Sequence, residues 1–322
     1  MEYVNLGDSG LKVSRVALGS WLTFGSAVDA STTRACVQAA LEGGVIFFDT
    51  ADVYARGAAE ELLGEALSDV KRTDIVLATK AFWPMSDNPN DRGLSRKHLV
   101  ESVHASLGRL RTDYLDLFQC HRYDEDTPLH ETVATMGMLI DQGKVLYWGV
   151  SCWTAAQILD ACHIADELGC ARPISNQPPY SLLERAVEPE VIPMSEREGL
   201  SQVVFSPLAQ GVLTGKYSGG RLPAGSRGAD EHRNVFMASL RDEQALKAVD
   251  QMVGLADEQG CSPAQLALAW CLRDQAVASV ICGATRPEQV EENITASEVD
   301  LSDDVIERLD ALFPPPEGPP EV

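Results

Sequence analysis

The stretch VIFFDTADVY, residues 45–54, decides how this chain is read. Val45, Ile46, Phe47 and Phe48 form an apolar run too short for a helix and rich in β-branched and aromatic side chains, as a buried strand requires. The run stops at a carboxylate, Asp49, and a phenol, Tyr54, follows five residues later. Runs of the same kind recur along the chain: VALG (16–19), IVLATK (75–80), YLDLFQC (114–120), VLYWGVS (145–151), PISNQ (173–177), QVVFSP (202–207) and ASVICG (278–283). Helix-length amphipathic segments separate them, at 31–42, 58–68, 95–110, 129–142, 155–168 and 262–274. Short apolar strands alternating with helices build parallel βαβ units. Eight such strands predict an α/β fold, a closed (β/α)8 TIM barrel.

Some segments lie outside that count. VNLGDSGLKVS (4–14) places Gly-Asp-Ser-Gly between two alternating runs and predicts an N-terminal β-hairpin. Two extra helices are expected, over 240–259 and over 302–313, the second opening on LSDD as a capping sequence. Residues 207–235 form a long Gly-, Ser- and Arg-rich loop after the seventh barrel strand, the length of a functional lid. The expected organisation is one barrel over 1–314 and a proline-rich, disordered tail over 315–322. An open doubly wound sheet is the competing architecture. It would carry G-x-G-x-x-G after its first strand, where this chain has ALGSWLTFG.

Composition narrows the function. Among the 322 residues, 48 acidic side chains stand against 26 basic ones, a net charge of −22. That sign disfavours nucleic acid and anionic membrane surfaces as partners. A salt-adapted source and plain solubility both account for the acid excess. The eight cysteines include no C-x-x-C pair and fall in apolar segments, the pattern of free thiols in a reducing compartment. The N-terminus MEYVNLGDSG is polar and unlike a signal peptide, and no apolar run reaches membrane-spanning length. The expectation is a cytoplasmic protein that is not membrane-embedded.

In a (β/α)8 barrel, reactive groups collect at the C-terminal ends of the strands. Asp49 ends the second barrel strand, Tyr54 lies in the loop after it, Lys80 ends the third and His121 the fourth. Singly, each has a plain structural explanation; together they make a coherent chemistry. An ammonium about 4 Å from a phenolate contributes roughly 4 kcal/mol at an effective dielectric of about 20, close to three pKa units. On that argument Lys80 brings Tyr54 into range as a general acid. Asp49 holds Lys80 charged, and His121 donates a hydrogen bond to a substrate oxygen.

FFDTADVY, ATK and QCHR resemble the Asp-Tyr-Lys-His tetrad of the aldo-keto reductase superfamily. The similarity runs from LGDSGLKVSRVALGSWLTFG to EENITA. It is closest to the branch of the potassium-channel β-subunits and their bacterial relatives, through RGLSRKHLVESVHASLGRL, DEDTPLHETV and LYWGVSCW. The channel subunits carry asparagine where this chain has His121, which favours a working reductase over a redox sensor.

The resemblance implies NADPH/NADP+ as cofactor, held by residues matched one by one. They are Gly19, Ser20, Trp21, Thr23 and Asp49 near the first and second strands, and Ser151 and Gln177 for the carboxamide. Phe205 would stack on the nicotinamide, and Ser206, Pro207, Leu208, Gln210, Gly211, Lys216 and Arg227 would follow along the pyrophosphate. Gly283, Thr285, Arg286, Gln289, Glu292 and Asn293 would hold the adenosine end. A helix beginning at Arg286-Pro287 offers free N–H groups that suit a phosphate, and Arg286 with Gln289 suits a 2′-phosphate.

Trp21, Phe24, Tyr54, Phe82, Trp83 and Trp153 fall in mouth loops and suggest an apolar pocket for a small-molecule carbonyl substrate. Arg122 either attracts an anionic substrate or pairs with Asp124 or Asp126. Three functions stay open: an NADPH-dependent aldehyde or ketone reductase, a β-subunit-like redox-sensing partner of a membrane channel, and a Schiff-base aldolase on Lys80. No metal ligand cluster is legible at the mouth, and a homo-oligomer is compatible with the sequence.

Overall fold

The computed structural model describes residues 1–224, 226–230, 234, 237 and 242–315. Eight parallel strands close a barrel: β3 (Val16–Gly19), β4 (Phe47–Asp49), β5 (Val76–Ala81), β6 (Leu115–Cys120), β7 (Val145–Val150), β8 (Ser175–Asn176), β9 (Ser201–Phe205) and β10 (Val277–Gly283). Each pairs with its sequence neighbour, and β10 completes the ring by pairing with β3, Gly283 opposite Gly19. The outer helices are α1 (Ala30–Glu42), α2 (Ala58–Ala66), α3 (Arg96–Leu110), α4 (Leu129–Asp141), α5 (Ala155–Leu168), α6 (Val191–Arg197), α8 (Pro263–Leu272) and α9 (Pro287–Thr295). α7 (Glu243–Gln259) and α10 (Asp303–Leu312) are the two extra helices. The closed barrel and both additions match the expectation from sequence.

Strand alternation divides the core. In β4, Phe47 packs inside the barrel with Ala17, Ala78, Leu117, Val203 and Ile281. Its neighbour Phe48 faces the helix layer with Leu18, Leu77 and Phe118. The next inward position after Phe47 is Asp49. The same count of two carries Ala78 to Lys80, Leu117 to Gln119, Val203 to Phe205 and Ile281 to Gly283. One layer, polar at Asp49, Lys80 and Gln119, therefore lies directly above the apolar interior at the C-terminal mouth.

The antiparallel hairpin, β1 (Tyr3–Asn5) and β2 (Lys12–Ser14), closes the opposite end. Leu6 and Val13, both fully buried, insert into the interior cluster. Gly7 N donates to Ser201 Oγ at the foot of β9 (2.9 Å), and Tyr3 OH donates to Gly44 O ahead of β4 (2.8 Å).

Helix starts follow the capping signals. Asp29, Ser95, Thr154 and Ser262 each accept a hydrogen bond from the first turn, the last two in full capping boxes. Ser302 occupies the same place before α10 but makes no such bond. α6 is the helix the sequence reading left out: at seven residues, with Pro193 in its first turn, it is too short to show a period.

The expected lid is only partly free. Short 3₁₀ turns fill 209–214, 218–220 and 227–229, and Val212, Leu213 and Tyr217 are buried against α7 and α8. Residues 225, 231–233 and 235 of that loop, 240–241 at the start of the first extra helix, and 316–322 of the tail lie outside the described residues. All eight cysteines are free. Among the described residues, no helix is long and apolar enough to cross a membrane.

Candidate active site

Lys80 is the centre of the mouth. It is fully buried, and an ammonium has three N–H donors. One goes to Asp49 Oδ2 (2.6 Å), one to Thr50 O (2.7 Å) and one to Tyr54 OH (3.5 Å). Asp49 is equally occupied, its Oδ1 accepting from Gln177 Nε2 (2.9 Å) and Gln119 Nε2 (3.4 Å). Burial lowers the Lys80 pKa, and Asp49 pulls it back up. With all three donors and both carboxylate oxygens taken, the pair has the geometry a buried ion pair needs.

Tyr54 opens a tight turn in which Ala55 (φ 48°), Arg56 (φ 53°) and Gly57 (φ 90°) are consecutively left-handed. Such backbone costs about 1–2 kcal/mol per non-glycine residue, so the surroundings must hold it. Arg109 supplies the hold: a Cβ on Gly57 would lie 2.8 Å from its Cδ. Arg109 Nε in turn donates to Glu60 (2.5 Å), a fully buried carboxylate on α2 that also accepts from Thr79 Oγ1 (2.6 Å).

The expected downward shift of the Tyr54 pKa is not what the structure produces. Burial, then the Asp49 charge, raise it well above 10, with Arg122 acting in the opposite direction. Asp49 already compensates Lys80, so little net positive charge reaches the phenol. Tyr54 is therefore a neutral O–H at every ordinary pH. His121 lies with its ring centroid 5.8 Å from that of Tyr54, edge on. Burial, then Lys80 and Arg122, hold its pKa well below 6.5, which makes it a neutral imidazole with one N–H. Its Nδ1 has no hydrogen-bond partner.

Other sequence-predicted residues fall around this centre. Ser151 Oγ donates to Gln177 O (2.8 Å), and Ser20 Oγ to Thr50 Oγ1 (2.8 Å). Trp21 and Phe205 meet edge to face at 6.2 Å. Gly283 abuts Thr23 and the backbones of Gly19 and Trp21.

Beyond β9, Ser206, Ala209, Gln210 and Gly211 all have positive φ, a backbone that folds N–H groups into a concavity. Gln210 joins that turn by donating to Ser206 Oγ (2.6 Å) and accepting from Arg227. A Cβ on Gly211 would lie 2.7 Å from Lys216 Nζ, which hangs over it. Pro207 and Leu208 lie within the same turn. Thr285 donates through N and Oγ1 to Gln289 (2.8 and 3.1 Å), and Arg286 is an exposed N-cap beside Glu288. Glu292 and Asn293 lie further along α9, where Asn293 is on the buried side with Val290 and Ile294.

The aromatic set is smaller than expected. Phe24 and Trp153 are 1% and 2% exposed and belong to the core behind the mouth, Trp153 edge on to Tyr123. Trp21, Phe82 and Trp83 keep ring surface at the mouth, with Trp83 packed on Phe82 (5.1 Å) and His121 (6.3 Å). Arg122 pairs with neither Asp124 nor Asp126: Asp124 accepts from Leu94 N and Thr127 Oγ1 (both 2.7 Å), while Arg122 Nη1 donates to His121 O (2.5 Å) and Ser151 Oγ (3.4 Å).

Sequence reasoning missed three parts. Gln119 was legible as a polar residue two before His121, hence on the same inward face. The Glu60–Arg109 pair had no local signal, because its members lie 49 residues apart. Asp52 lies in the loop between Asp49 and Tyr54 and carries no local signal of its own. It is 1% exposed, its carboxylate oxygens meet no donor at good geometry, and burial with the Glu60 charge pushes its pKa up to about 8.

A protein described as a probable voltage-gated potassium channel subunit beta, from Oryza sativa subsp. japonica, is 46% identical over 318 residues, covering 97% of this chain and 96% of its own length. One of the same description from Arabidopsis thaliana is 47% identical over 303 residues, covering 93% and 92%. A putative one from Schizosaccharomyces pombe is 38% identical over 317 residues, covering 96% and 92%. The profile of the aldo/keto reductase family matches residues 15–313. With the closed barrel and near-full-length relatives, that match settles the assignment: the chain belongs to the aldo/keto reductase family, a family of oxidoreductases.

Proposed function

We propose that this protein reduces an aldehyde or ketone to an alcohol with NADPH, and that Tyr54 donates the proton. The observation that carries the reading is the complete use of the Lys80 ammonium: three donors directed at Asp49, Thr50 and the Tyr54 oxygen, in a buried mouth. That arrangement orients the phenol with its proton available to a substrate oxygen. A raised Tyr54 pKa is compatible with the role, because an alkoxide is a far stronger base than a phenolate and takes the proton downhill. Neutral His121 donates a second hydrogen bond and fixes the carbonyl between the two groups. The aromatic faces of Trp21, Phe82 and Trp83 exclude water from the reacting carbon.

The family generally binds NADP(H), and the residues present fit that cofactor. The left-handed turn at 206–211 with Lys216 above Gly211 suits a pyrophosphate, and exposed Arg286 ahead of α9 suits a 2′-phosphate. Ser151, Gln177 and Phe205 would hold the nicotinamide, with Gly19, Ser20, Trp21 and Thr23 beside it. Bound NADPH supplies the hydride to the carbonyl carbon. An aldolase role for Lys80 is disfavoured, since all three of its N–H groups are engaged and none is directed to a substrate. Residues 1–314 act as one unit in this reading.

The test is Tyr54→Phe, followed by NADPH absorbance with a panel of aldehydes and ketones. Reduction should be lost while NADPH affinity, read by fluorescence titration, stays near wild type. Retained turnover would remove Tyr54 as the donor. A second reading, a channel-associated subunit, draws on the descriptions of the relatives. It predicts a stable tetramer with slow turnover, and light scattering alongside the same assay separates the two.

A further inference from the structure

We infer that Arg122 is a specificity-determining residue that selects carbonyl substrates bearing a carboxylate or another oxyanion on the side of the mouth walled by Trp83.

The geometry is specific. Arg122 follows His121, and its Nη1 donates back to the His121 carbonyl (2.5 Å) and to Ser151 Oγ (3.4 Å). These bonds fix the guanidinium against the end of β6, and its carbon lies 5.7 Å from the centroid of Trp83. A guanidinium carries five N–H groups in a planar fork. The bonds that Arg122 makes within the protein all leave from Nη1, so Nε and Nη2 have no acceptor among the described residues. Among the described residues, no carboxylate lies within ion-pair distance of Arg122, although the chain holds 48 acidic residues. Its sequence neighbour Asp124 is turned away, held by Leu94 N and Thr127.

The guanidinium also lies beside the reacting groups, bonded to the backbone of His121. Tyr54, Lys80 and His121 all feel its charge. Tyr54 and His121 lie edge to face at 5.8 Å, and the fork belongs to the residue that follows His121. A planar cation with two free donors is matched by a carboxylate or phosphate, which it binds through two parallel hydrogen bonds. The rest of the protein is strongly acidic and repels anions, which makes this local cation the more selective. A neutral aldehyde gains nothing from the fork and leaves a half-buried charge with incomplete hydrogen bonding.

This inference rests on the carbonyl-reductase reading, and the experiment separates the two. The full chain with NADPH is assayed on 4-carboxybenzaldehyde and on its methyl ester, which share ring and aldehyde and differ in the charge. Wild type should prefer the acid in kcat/KM. In Arg122→Met the acid-to-ester ratio should fall about 10- to 100-fold, chiefly through KM, in line with the loss of a charge-assisted hydrogen bond. Arg122→Lys should retain part of the preference, having the charge without the fork.

In parallel, benzoate binding to the full chain without cofactor is measured by calorimetry, a readout independent of turnover. Weaker benzoate binding in Arg122→Met supports the anion site even if neither aldehyde is reduced, an outcome that would sink the reductase reading alone. Equal losses on acid and ester, a wild-type preference for the ester, or benzoate binding indifferent to Arg122→Met would each overturn the inference.

Discussion

The buried pair Lys80–Asp49 makes a quantitative demand on stability. Lys80→Met keeps the length and the apolar stem of the side chain but removes the ammonium. Asp49 Oδ2 and Thr50 O then lose their donors, while Asp49 Oδ1 keeps those of Gln177 and Gln119. Removing one member of a buried pair typically costs about 3–5 kcal/mol, because the surviving charge is stranded. An unfolding entropy of about 2.1 cal/mol/K per residue corresponds to roughly 0.7 kcal/mol per degree for this chain, so the melting temperature should fall by about 4–7 °C. A second variant, Asp49→Asn, and the double variant complete a cycle. Neutralising both members removes the stranded charge, so the double variant should be more stable than the two single losses combined, by about 2 kcal/mol or more. Urea midpoints and thermal melts by circular dichroism provide the values. A coupling below about 0.5 kcal/mol would refute the reasoning, since the two groups would then be independent despite a separation of 2.6 Å.

Asp52 gives a pH signature of definite sign. Its pKa in the folded protein is raised to about 8 by burial and by Glu60, against about 3.9 in an unfolded chain. Between those values the native state holds the extra proton, so its contribution to stability is full below about pH 4 and is lost as pH rises towards 8. Asp52→Asn should therefore gain on wild type by up to about 1.4 kcal/mol per pH unit across that window; parallel stability curves would contradict the assignment. The rate profile follows from the other two shifts. With His121 neutral far below its usual range and Tyr54 protonated far above neutrality, kcat/KM should show no titration of either group between about pH 7 and 9. An inflection near pH 7 that disappears in His121→Gln would show that the imidazole is charged after all.

Much of the site was legible from strand ends alone. In a parallel barrel, the residue after an apolar run projects at the mouth, so Asp49, Lys80 and His121 could be placed together without any contact being known. Gln119 was readable by the same rule, two positions before His121. Phe24 and Trp153 show where the rule weakens. A loop aromatic is equally suited to a pocket and to the packing beneath it, and only the tertiary fold, which joins both to the core cluster and sets Tyr123 against Trp153, puts these two in the core. The Tyr54 turn is a similar case. Its three left-handed residues include two with side chains, and nothing local favours that backbone. Arg109, from a helix two elements away, holds it in place through Glu60.

The amino-acid sequence by itself determined the barrel, its order and the identity of the four groups at its mouth. Those follow from periodicity and from the chain direction of parallel strands, which are local properties. The protonation states were decided only in three dimensions. Read pairwise, Lys80 should acidify Tyr54; in the folded mouth Asp49 takes up that charge and burial raises the phenol instead. The orientation of Arg122, away from Asp124 and towards the mouth, was decided there too. Electrostatics sums over every neighbour in space and depends on how much water each displaces, so tertiary packing sets the sign of a shift that sequence adjacency leaves open.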